Sequence, residues 1–98
     1  MSDQCCSQAD AQQYPVEIRV TSSTCPKMPD GDVLYLDGPS LDYERSGPVC
    51  LTAVNAIYPW VMLARFGVRS QALEWNADVE AYCVTCPCGV VNYEIRPR

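Results

Sequence analysis

The chain contains no histidine, which removes the commonest nitrogen ligand for a metal and the usual general base of an enzyme site. No glycine-rich phosphate loop and no serine-centred elbow occurs either, so phosphate-transfer and serine-hydrolase chemistry lose their usual signatures. Basic residues are few, seven against twelve acidic ones, and scattered. With a net charge of -5 this argues against a nucleic-acid partner, which needs clustered Lys and Arg to displace counterions. Long apolar runs are missing too. The apolar, uncharged stretch from Pro48 to Ala64 is broken by Thr52, Asn55 and Pro59 and falls short of the roughly 20 residues a bilayer crossing needs, so no membrane insertion is expected. The opening "MSDQCCSQADAQQ" lacks a basic start and an apolar core, which points to a cytoplasmic protein.

What is abundant is cysteine: seven in 98 residues. In a reducing compartment spaced cysteines indicate metal ligands or reactive thiols before a disulfide framework, and an odd count leaves one sulfur unpaired in any monomeric disulfide scheme. The length fits one domain with a small core.

Residues 1–14 are polar and read as a flexible tail, leaving 15–98 as a single cysteine-rich domain. Val16, Ile18 and Val20 alternate with polar residues, the period of a strand with one buried face. Prolines and Asp30-Gly31 in "TCPKMPDGD" make a loop, "DVLYLDGP" a second strand, and 40–47 a surface loop. "GPVCLTAVNAIYPWVMLARFG" is the helix, with Pro48 at its first position, a kink at Pro59 and Gly67 as its stop. Thr52, Asn55, Pro59, Met62 and Arg65 form its less apolar stripe, leaving Val54, Ile57, Val61 and Leu63 for the core. "VEAYCVT" and "VVNYEIR" alternate as two more strands. The expected fold is α+β, one kinked helix on a small, largely antiparallel sheet in β-β-α-β-β order.

The cysteines fall into this frame with a pattern. Cys86-Pro87-Cys88-Gly89 suits a type I turn at the tip of the last hairpin, and Cys83 precedes it at the C-x2-C spacing that lets two thiolates reach one ion. No second C-x2-C exists, so further ligands must come from elsewhere: Cys25 after the first strand, and Cys50 in the first helical turn, where the helix end favours a thiolate. Cys25, Cys50, Cys83, Cys86 and Cys88 are therefore the candidate metal ligands. Donors spread over a loop, a helix start and a hairpin suit an iron-sulfur cluster better than zinc, which usually draws on two compact knuckles; zinc is the alternative. Against both stands simple packing, because free cysteine is among the most buried residue types. Cys5 and Cys6 belong to the tail.

Cys25-Pro26, Gly31-Asp32, Gly38-Pro39, Cys50 opening an apolar helix that closes at Gly67, and Cys86-Pro87-Cys88-Gly89 together resemble a small prokaryotic family of uncharacterised function whose last turn reads Cys-Pro-Asp-Gly. The resemblance covers roughly residues 16–98. It implies three recurrent cysteines, Cys25, Cys50 and one of Cys83 or Cys86, and no established activity; Cys88 stands where that family has Asp.

The function these features suggest is a redox or accessory subunit, an electron-transfer module with an iron-sulfur cluster, that attaches to a larger protein. The alternatives are a structural zinc or metal-free interaction subunit with core cysteines, and a small thiol enzyme or redox sensor using Cys50. Trp60 and Trp75 are the aromatic docking candidates, and Asp32, Asp37, Asp42 and Glu44 read as solvated loop carboxylates.

Overall fold

A computed structural model describes residues 13–86, 89 and 91–98. Six strands, β1 (Val16–Ser23), β2 (Val33–Asp37), β3 (Ser40–Leu41), β4 (Trp75–Asn76), β5 (Ala81–Thr85) and β6 (Val91–Pro97), form one antiparallel sheet in the order β3-β2-β1-β6-β5-β4. Among the described residues one α-helix, α1 (Leu51–Arg65), lies across one face of it, and a 3-10 turn covers Gln71–Leu73. The α+β class is as expected. The sheet is larger than the β-β-α-β-β order allows, because the two-residue strands β3 and β4 add one edge each. Neither had a legible period: two residues cannot alternate, and each pairs because a tight turn folds it back on its neighbour.

Alternation decides the faces. Val16, Ile18 and Val20, Leu34 and Leu36, Tyr82 and Val84, and Val91, Tyr93 and Ile95 all point to the helix side and are buried. α1 answers with Ala53, Ile57, Val61 and Ala64, spaced by one turn. Ile57 and Val61 were expected there, whereas Val54 and Leu63 are only partly buried. Arg65 departs from its expected place on the polar stripe: it is 4% exposed, and its Nε donates to Gln13 Oε1 at 2.8 Å. Tyr14 N–H also donates to the Arg65 carbonyl, at 2.7 Å. Residues 13 and 14, assigned to the tail from sequence, thus hold the end of α1.

The helix starts later than expected. Pro48 lies outside it and Cys50 is the N-cap, with extended backbone and no side-chain cap bond. Its end is as read: Gly67 has φ +75°, and the N–H groups of Gly67 and Val68 return to the carbonyls of Ala64 and Leu63 at 3.1 and 2.9 Å, a Schellman closure. Pro59 sits inside the helix on its solvent side.

Among the described residues no helix is long and apolar enough to cross a membrane.

Candidate functional site

The candidate thiols separate into two environments. Cys25 opens a turn after β1: its N–H donates to Ser23 Oγ at 2.9 Å and its carbonyl accepts from Met28 N–H at 3.3 Å. That turn drives Met28 fully into the core, where its sulfur accepts the Tyr93 hydroxyl proton at 3.1 Å. Cys86 follows β5, with its N–H on the Val91 carbonyl at 2.9 Å and its side chain buried in the core. Because Ser23 also pairs with Val91, Cys25 and Cys86 lie at the same end of the sheet. Cys50 begins α1 and packs against the same core. The far end of that helix is tied to Tyr14 ahead of β1, and its 15 residues span about 22 Å, so that Leu51, next to Cys50, lies by Leu36, Pro39 and Leu41 at the β2–β3 edge.

Cys83 is elsewhere. Between the inward Tyr82 and Val84 it faces the opposite side of the sheet, exposed and directly across from Glu94. Partial burial, then the Glu94 carboxylate, push its thiol pKa above the usual range; Arg96 opposes and Glu74 adds to the rise. A thiol held protonated is a weak nucleophile and a weak ligand. The C-x2-C spacing therefore does not place Cys83 and Cys86 on one side, since an odd offset along a strand reverses the face. Gly89 N–H closes the turn onto the Cys86 carbonyl at 2.9 Å with φ +76° at the glycine. Cys5, Cys6, Pro87 and Cys88 lie outside the described residues. Among the described residues no group of three or more Cys, Asp or Glu side chains stands close enough to hold a metal ion.

A different feature is preformed. α1 packs on β6, β1 and β5, so the β2–β3 end of the apolar sheet face extends past the helix. There a groove of about 430 Å³ opens between the layers. Leu34, Leu36 and Ile18 make its floor, Val54, Tyr58 and Val61 its helix wall, and Leu41 with Pro39 its outer edge. Leu51 and Tyr43 on its rim are 73% and 82% exposed, beside the exposed Val49. The lining is apolar apart from the Ser40, Tyr43 and Tyr58 hydroxyls, and its volume lies in the range of small-ligand sites.

The aromatic candidates from sequence are otherwise engaged. Trp60 is partly buried and donates its indole N–H to the Leu73 carbonyl at 2.9 Å; Trp75 stacks edge-on against Tyr82 with ring centroids 5.0 Å apart. Tyr43 and Leu51, the residues that do project, gave no signal in sequence, because one sits in an irregular loop and the other in the first turn of an apolar helix.

Comparison with known proteins finds no matching family model, no similar curated protein and no similar solved structure.

Proposed function

We propose that this protein is a small binding module, an accessory subunit without chemistry of its own, that takes an apolar group of a larger protein into the groove between α1 and β2–β3. The observation that carries it is the rim: Leu51 and Tyr43 hold large apolar surfaces in water at the mouth of a preformed apolar cavity. Leaving such side chains exposed forgoes about 1.5–3 kcal/mol each, which docking recovers. On this reading Cys25, Cys50 and Cys86 are packing residues, Cys86 within a small core and the other two against it.

The uncharged apolar dye Nile red tests the groove without a known partner. Fluorescence titration is expected to show saturable binding that Val54→Trp, which fills the cavity from the helix side, abolishes while the fold survives. Equal binding by both proteins overturns the proposal.

A second reading is favoured by one observation, that Cys25 and Cys86 lie at the same end of the sheet, where the Cys86–Gly89 turn also lies. In that reading Cys88 joins them as thiolate ligands of an iron-sulfur cluster, or of zinc, in an electron-transfer subunit. Iron, acid-labile sulfide and zinc analysis of protein purified without oxygen decides it, and a metal-free folded protein removes it.

A further inference from the structure

The groove between α1 and β2–β3 has a length, a breadth and a charge, and together these select its occupant. Leu51, Val54, Tyr58 and Val61 recur at spacings of three and four, so one stripe of α1 lines the groove from end to end, about 15 Å or three helical turns. The buried stripe of Ala53, Ile57 and Ala64 points at the sheet instead, so the groove runs beside the helix. α1 packs chiefly on β6 and equally on the strands at its sides, β1 and β5, which sets its axis over β6. Strands stand about 4.8 Å apart, so β2, two strands away in the sheet, lies about 10 Å from that axis. Packed helices stand about 8–10 Å apart. The open place over Leu34 and Leu36 is therefore one helix wide, and no charged side chain lines it.

We propose, taking the groove as the binding site, that the partner's docking element is an amphipathic helix with basic flanks, laid over β2 beside α1 as the second helix of this layer. The floor offers the side chains of Ile18, Leu34 and Leu36, while the amides beneath them are committed to the sheet ladder. A helix bonds its own amides, whereas an extended peptide pressed onto this floor would bury its amides unpaired, at about 1–3 kcal/mol each. Charge then sets the flanks. The segment joining β2 to α1 carries the carboxylates Asp37, Asp42 and Glu44 against Arg45 alone. Arg45 pairs with Asp42 at 4.0 Å and lies over the Tyr35 ring, which faces away from the groove. Asp37 and Glu44 stay exposed, without an ion pair among the described residues, so lysine or arginine on the incoming helix meets complementary charge. A second copy of this chain fits poorly. Its one described α-helix already spends its apolar face on its own sheet, and its rim would set Asp37 and Glu44 against their equivalents.

Anisotropy of three labelled peptides of about 15 residues tests the proposal. The first combines leucine and lysine with leucine at three- and four-residue spacing, the second has the same composition in strict alternation, and the third is the first with glutamate for lysine. The first is expected to bind saturably and to gain helical circular dichroism as it does; the other two should bind about tenfold more weakly or worse. Val54→Trp should abolish this binding. Leu51→Ala, a change at an exposed position, should weaken it and serves if Val54→Trp does not fold. Glu44→Lys should weaken the lysine peptide about fivefold and leave Nile red binding as in the parent, because Glu44 does not line the groove. Equal binding of the two leucine-lysine isomers, tighter binding of the glutamate peptide, an unchanged affinity in Glu44→Lys, or no peptide binding while Nile red still titrates would each overturn this proposal and leave the groove reading standing. Loss of Nile red binding as well would end both. Sedimentation of the free protein as a dimer that Leu51→Ala dissociates would give the groove to a second copy and overturn the partner helix.

Discussion

Leu51→Ala separates a working side chain from a structural one on the same helix. Leu51 is 73% exposed, so folding removes only about a quarter of its surface from water. Full burial of a leucine contributes about 1.5–3 kcal/mol, and a quarter of that is about 0.4–0.8 kcal/mol; alanine's slightly better helix propensity offsets part of the loss. The melting temperature should therefore barely move. Ile57, 1% exposed and six residues further along, gives the contrast: Ile57→Ala should cost about 2–5 kcal/mol. Ligand binding should reverse the order of importance. If docking covers the rest of the Leu51 side chain, its loss removes about 1–2 kcal/mol of binding, or roughly five- to thirtyfold in Kd. Thermal melting and Nile red titration of the two variants measure both quantities. A Leu51→Ala protein that is destabilised as much as Ile57→Ala, or that binds the dye as tightly as the parent, would refute the reasoning.

Three further expectations follow from the same geometry. Tyr82 is fully buried and its hydroxyl donates to the Val68 carbonyl while accepting Ser70 N–H at 3.3 Å, so Tyr82→Phe leaves both groups short of a partner and should cost about 1–3 kcal/mol in denaturant unfolding. Cys86→Ser, placing a hydroxyl in the core, should cost a similar amount, about 1–3 kcal/mol, with melting of the parent unchanged by prolonged chelation; a parent that melts lower with chelator would favour the metal reading instead. Cys83 should react with iodoacetamide at pH 8 more slowly than cysteine in the unfolded chain, and Glu94→Gln should speed it, because burial and Glu94 favour the protonated thiol. The folded state then holds that proton longer, so the contribution of Cys83 to stability falls as pH rises through the unfolded thiol pKa.

The local elements were legible in the chain itself. Val16, Ile18 and Val20 declared a one-sided strand, the alternations around Tyr82 and Tyr93 two more, and Gly67 the stop of the helix, because side-chain period and left-handed backbone are properties of adjacent residues. The same period already implied that Cys83 and Cys86, three apart around a strand, face opposite sides, although the C-x2-C spacing drew them together as ligands. Other features needed the whole fold. β3 and β4 exist only by pairing with a neighbour, and Arg65 is bonded by Gln13 and Tyr14 from far away in the chain. The groove depends on where α1 lands across the sheet, and the row that joins Tyr35, Glu17 and Arg96 on the register that sets β1, β2 and β6 side by side. Landing and register are fixed by apolar contacts between residues far apart in the chain, such as Ile57 and Tyr93 in the common core, and no local spacing encodes those contacts.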